Sequence, residues 1–178
     1  MEIIHRNVLI AKSVTADVME EDGDLVLDRR LAIDGVAGAG KTFILGQLLS
    51  KVYTIHYLVK KKAFLESVKM RFGNPDNFEA GTIDAFLMRI FQIRDLDKWI
   101  NEREYNLEIL MEKATRLAIP YDQHKVFFID EYSIIERSLI LLLNIILRKS
   151  QVIIVGGSNQ LSAIGDSNIQ PWRTLVDF

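Results

Sequence analysis

The chain has no cysteine among its 178 residues, which excludes a disulfide framework and any thiolate metal centre. It has no basic surplus either. Lys and Arg number 22 against 24 Asp and Glu, a formal net charge of -2. Dedicated nucleic-acid-binding domains usually carry an excess of positive charge, so a partner of that kind would have to be met by a local groove. Only three histidines occur, His5, His56 and His124, scattered along the chain in a way that suggests no metal site. Long hydrophobic runs are missing too. The most apolar stretch, Ser138 to Leu147, is too short to cross a bilayer and is followed by Arg148 and Lys149, so it reads as a buried helix. The start, MEIIHRNVLIAK, lacks the apolar core and small-residue cleavage site of a secretory signal. Internal repeats, linkers and low-complexity tracts are absent. These absences lead to the expectation of a soluble, cytoplasmic protein with no integral membrane segment.

What is present is the composition of a globular chain, 49% hydrophobic and 26% charged, at a length suited to one domain. Residues 1–30, with the acidic turn Glu20-Glu21-Asp22-Gly23-Asp24, read as an N-terminal extension or edge hairpin, and 31–178 as the domain. Leu31 to Asp34 is a short apolar run that ends in a glycine-rich turn, and Lys41 to Leu49 follows with helical spacing. Val52 to Leu58 reads as a second strand. Lys60 to Phe72 reads as a helix with Ala63, Phe64, Val68 and Met70 or Arg71 spread over its turns, and residues 73–77 as a turn. A brief strand about Gly81 to Ile83 leads to a helix holding Phe86, Leu87, Ile90 and Phe91. Residues 95–118 read as largely helical, with an apolar stripe of Leu107, Leu110, Met111 and Leu117 that Pro120 stops. Val126 to Ile129 is a continuous β-favouring apolar run, the pattern of a central parallel strand covered on both faces. Glu136 to Leu147 and Gln151 to Val155 read as a further helix and buried strand. Alternating strands and helices predict an α/β domain of three layers with a mainly parallel sheet and its site at the carboxyl edge.

The chemistry is concentrated in Gly35-Val36-Ala37-Gly38-Ala39-Gly40-Lys41-Thr42, which satisfies the pattern G-x-x-x-x-G-K-[ST] in full (the Walker A motif). Glycines let successive backbone N–H groups point inward and form an anion-binding concavity. The helix that begins at the loop adds its positive end. Lys41 can reach the β and γ oxygens of a triphosphate, and the Thr42 hydroxyl can ligate Mg2+. A carboxylate from a neighbouring strand is needed beside such a metal, and Asp130, closing Val126–Ile129, is the candidate. Glu131 beside it can polarise a water for attack on the γ-phosphate, forming with Asp130 a Walker B pair. Two acidic residues can also simply cap a strand, but a complete P-loop upstream favours the catalytic reading. The chain is thus expected to be a P-loop NTPase that binds ATP or GTP with magnesium. No base-reading element selects between them.

In this arrangement the chain resembles superfamily 1 helicases, and among them those of alphavirus-like positive-strand RNA viruses, with tobamovirus-like replicases nearest. The resemblance rests on four blocks in order: GVAGAGKT; Tyr57-Leu58-Val59 with the segment Ala80 to Met88, similar to the family's T-V-D-S-F-L-M; Phe128-Ile129-Asp130-Glu131; and Val155 to Leu161, similar to its G-D-x-x-Q block. It implies a RecA-like first motor domain. It implies further that Gln160 senses the γ-phosphate from the adjacent strand end, and that Thr82, Asp84 and Phe86 lie near single-stranded RNA. From the residues alone, Thr82 equally fits a helix N-cap and Phe86 equally fits core packing. Lys60-Lys61-Lys62 fits either a phosphate contact or a solvated face. Gly157 stands where the family has aspartate, and Gly165-Asp166 has neither the strand before it nor the glutamine after it to substitute. The family's second RecA-like domain, with its arginine fingers, would have to come from outside these residues, as a partner domain or downstream replicase region. Without those arginines, hydrolysis would be slower by on the order of a thousandfold or more.

Three other readings compete with a helicase motor: the core of a triple-gene-block movement protein, whose D-E-Y resembles Asp130-Glu131-Tyr132; a non-catalytic nucleotide-binding module; and a small-molecule kinase. The kinase is weakened by the Asp130-Glu131 pair and by the lack of an arginine-rich lid. Trp99 and Trp172 read as packing residues.

Overall fold

A computed structural model describes residues 30–34, 41–49, 53–73, 75–120 and 122–156. Five strands, β1 (Arg30–Asp34), β2 (Thr54–Val59), β3 (Phe78–Thr82), β4 (Lys125–Asp130) and β5 (Gln151–Gly156), form one parallel sheet in the order β1-β5-β4-β2-β3. Parallel neighbours require crossovers, and helices supply them: α1 (Lys41–Leu49), α2 (Lys62–Phe72), α3 (Ile83–Phe91), α4 (Leu96–Tyr105), α5 (Leu107–Arg116) and α6 (Arg137–Ile146). This is the three-layer α/β class expected. Residues 1–29 of the expected extension, and 157–178, lie outside the described residues, while Arg30 opens β1.

The side-chain alternation of the strands splits the core in two. On one face Ile55, Tyr57, Val126, Phe128, Ile153 and Val155 pack with Ile44, Leu45 and Leu48 of α1 and with Leu65 and Val68 of α2. On the other, Phe127, Ile129, Val152 and Ile154 pack with α3, with Trp99 of α4, with α5 and with the apolar face of α6. Both faces of β4 and β5 are covered, which is why these strands read as unbroken apolar runs. Each Leu, Ile, Val or Phe so removed from water contributes about 1.5–3 kcal/mol.

Several element boundaries differ from expectation. The stretch over 95–118 is two helices, broken at Asn106, whose backbone leaves the helical region and whose N–H bonds back to the Glu102 carbonyl. Pro120 does not end the second. The Leu117 N–H caps it through the carbonyls of Lys113 and Ala114, and Leu117 itself lies past the end, exposed. The strand expected about Gly81 to Ile83 begins earlier, at Phe78, because residues 78–82 run alongside Ile55–Val59. In α2 the buried stripe is Leu65 and Val68 with Phe72 beside them, an i, i+3, i+7 row, and Phe64 and Met70 face outward.

Candidate nucleotide site

The strands deliver polar residues to one edge of the sheet. Asp34 at the end of β1 pairs with Gly156 at the end of β5, and Val155 beside it pairs with Asp130 at the end of β4. β5 is interposed between β1 and β4, so Asp130 stands on the next strand but one from β1. Two strand spacings of about 4.8 Å put some 10 Å between the ends of β1 and β4 at the carboxyl edge. Along β4, Val126 and Phe128 face α1, so alternation sends Asp130 to that same face.

Lys41 and Thr42 open α1, the helix that covers this face. The rest of the glycine-rich loop, Gly35, Val36, Ala37, Gly38, Ala39 and Gly40, lies outside the described residues, as do Gly157 and Gln160. Gln160 follows β5, the strand hydrogen-bonded to β1.

Asp130 is held from two sides. The Tyr57 hydroxyl donates to its Oδ2 at 2.7 Å, and the Glu131 N–H donates to its Oδ1 at 2.8 Å. Each carboxylate oxygen retains a second acceptor site. Burial pushes the Tyr57 phenol far above its ordinary range, and the neighbouring charge of Asp130, the hydrogen bond to it and Glu131 push the same way, so Tyr57 stays a neutral donor. Among the described residues no group of three or more His, Cys, Asp or Glu forms a metal cage. A half-buried carboxylate at a strand end fits Mg2+ that arrives with phosphates and keeps its water, since that ion is commonly held by one or two carboxylates plus substrate oxygens.

Glu131 has φ 57 and ψ 41, the left-handed region that an L-residue enters only at a cost of about 1–2 kcal/mol. The turn ends β4 abruptly and starts a short 3-10 helix, Tyr132–Ile134. The Tyr132 ring lies over Gly156: a Cβ on that glycine would stand 2.3 Å from Tyr132 Cδ1. The turn carrying the candidate base is thus seated directly on the end of β5.

A second polar cluster occupies the same edge. Asp84, in the first turn of α3, accepts from Lys60 Nζ at 2.8 Å, Trp99 Nε1 at 2.8 Å and Arg103 Nη1 at 2.9 Å, and Lys60 also pairs with Glu136 at 2.8 Å. Burial alone would raise the Asp84 carboxyl. The hydrogen bonds from Lys60 and Trp99, with the positive charges of Lys60 and Arg103, outweigh it and hold the group below its usual range. Asp84 is consequently a tie between the end of β2, α3 and α4. Phe86 is 4% exposed and edge-on to Phe127 at 5.8 Å, the core-packing placement that its sequence position equally fitted. Thr82 caps α3, its hydroxyl accepting from the Ala85 N–H at 3.2 Å. Lys60 is committed to Asp84 and Glu136, whereas Lys61 and Lys62 are exposed. Trp99 is fully buried, a packing residue that also donates a hydrogen bond.

His56 is stacked on Phe127 and sits 3.0 Å from Glu79 through Nδ1. Burial lowers its proton affinity more than Glu79 raises it. His124 is exposed beside Gln123. Sequence reasoning gave no site role to Tyr57, Tyr132, Arg103 or Glu136, although Tyr57 and Tyr132 stand within motif blocks. Their partners are far apart along the chain, and the only local hint was a polar-tipped aromatic inside an apolar strand.

No curated protein matches the chain. Among solved structures it is similar to a crystal structure of Pif1 from Bacteroides sp in complex with ADP-AlF4, at 18% identity and a TM-score of 0.45. That match covers 100% of this chain and 36% of the other, so the chain spans little more than a third of that protein's length. A family model described as an AAA domain matches residues 25–176, a span running from before β1 to beyond β5. With a parallel α/β sheet, a complete phosphate-loop motif at β1 and a carboxylate at the end of β4, the chain has a RecA-like P-loop fold and belongs to the AAA domain family.

Proposed function

We propose that this chain is the NTP-binding and hydrolysing first motor domain of a superfamily 1 helicase of the viral replicase type, working on single-stranded RNA with ATP or GTP and magnesium. The observation that carries the reading is the placement of Asp130: at the carboxyl edge, on the sheet face covered by α1, whose first residues are Lys41 and Thr42. Lys41 contacts the terminal phosphates. Thr42 and Asp130 hold the metal, which, when bound with the triphosphate, offsets the charge of its β and γ oxygens. Glu131 orients and deprotonates the attacking water, and Gln160 reports the γ-phosphate. RNA contact falls to Thr82 and to Lys61 and Lys62 at the start of α2, since Asp84 and Phe86 serve the fold.

The test is phosphate release by the purified chain, with and without single-stranded RNA and with single-stranded DNA as the comparison. A slow magnesium-dependent rate that RNA stimulates, and that Lys41→Ala lowers by about a hundredfold or more, supports the proposal. Stimulation by DNA alone overturns the RNA assignment, and phosphate transfer to a nucleoside or sugar overturns the motor.

A further inference from the structure

Among the described residues Asp130 has one long-range hydrogen-bond partner, Tyr57, 73 residues away along the chain. The geometry of that contact follows from the sheet. Tyr57 pairs with Phe128 across β2 and β4, and Asp130 lies two residues further along β4 on the same face. Two residues of strand rise by about 7 Å, which is the reach of a tyrosine side chain leaning along the strand. The ring cannot lean elsewhere, because it lies between Phe128 at 5.8 Å and Phe78 at 6.0 Å, and Tyr57 is only 1% exposed. A hydroxyl buried this deeply needs a partner, and the stacked rings leave it aimed at Asp130 Oδ2. Phenylalanine would fill the same slot with equal apolar contact, so packing does not explain the oxygen.

We propose that Tyr57 is the positioning residue of the nucleotide site: its hydroxyl fixes the Asp130 carboxylate in the orientation that presents its remaining acceptor sites to the magnesium brought by the nucleotide. This rests on the function proposed above and deepens it. Partners that orient a metal-holding carboxylate commonly change metal affinity tenfold or more when removed.

Fluorescent-nucleotide binding by the full chain, measured in Mg2+ and again in EDTA, tests this. In Tyr57→Phe the gain in affinity on adding Mg2+ should fall by about tenfold, with affinity in EDTA unchanged. In an Asp130→Asn background, Tyr57→Phe should have no further effect on that gain. Three results overturn the proposal: an unchanged Mg2+ gain, an equal loss of affinity in Mg2+ and in EDTA, or a Tyr57→Phe chain without a cooperative melt, which would make the hydroxyl a prop of the fold. If the parent chain itself shows no magnesium-dependent nucleotide affinity, the site reading fails before Tyr57 is reached, so the two failures are distinguishable.

Discussion

At the scale of single residues, Glu131 carries the plainest conflict between fold and chemistry. Among the described residues two that are not glycine have positive φ, Gln92 and Glu131. Gln92 ends α3 and its N–H returns to the Met88 and Arg89 carbonyls, an ordinary left-handed cap. Glu131 ends a strand, so its conformation serves the turn that presents it. Glycine would relieve the turn and remove the base. Glu131→Gly should raise or leave unchanged the melting temperature, a gain of up to about 1 kcal/mol. It should also lower phosphate release by about a hundredfold or more. Glu131→Gln should show the same loss of turnover without the gain in stability. Calorimetry and a phosphate assay on the three proteins check both. The pair Asp130-Glu131 was legible in the sequence because both residues close an apolar run. The left-handed backbone was not, since glutamate has no preference for it.

Among elements, the contact between the β4 turn and the end of β5 decides how the two halves of the site are spaced. Gly156 lies under Tyr132 with no room for a methyl group, and the ring is itself buried. Gly156→Ala should destabilise the chain by about 1–3 kcal/mol, the usual cost of overpacking. Paired with Tyr132→Ala, the combined loss should be smaller than the sum of the single losses, because removal of the ring also removes what the added methyl would strike. Denaturant midpoints of the two singles and the double give that coupling, and strict additivity would show that the ring moves aside freely. The sequence displayed Gly156-Gly157 as a strand terminator. It did not show that the first glycine is a seat for a tyrosine, because Gly156 ends β5 while Tyr132 follows β4, and the adjacency of those strands depends on sheet order.

For the molecule as a whole, the cluster around Asp84 ties α3 to the end of β2, to α4 and to the start of α6. Its effect on stability has a definite sign with pH. The folded-state pKa of Asp84 is depressed, so its contribution is complete above the unfolded value near 3.8 and is lost as pH falls through the lower folded value. Asp84→Asn should cost about 2 kcal/mol at neutral pH. The gap from the parent should hold steady down to about pH 5 and close below about pH 4. Urea unfolding across that range measures it, and a gap that widened on acidification would contradict the network.

By itself the sequence determined the layer class, the identity of nearly every strand and helix, and the phosphate-loop and acidic motifs, because these rest on periodicity and spacing within a few residues of chain. Residues 126–129 and 151–155 were recognisable as buried strands from their apolar runs, and both are strands covered on both faces. Tertiary structure decided the strand order, which placed β5 between β1 and β4 and so set the distance from Asp130 to the strand that precedes the loop. It also decided that Tyr57 meets Asp130, that Asp84 is a tie and that Phe86 is core. These depend on which strands pair and on which face each side chain emerges, and pairing between segments some seventy residues apart leaves no trace in either segment's own pattern.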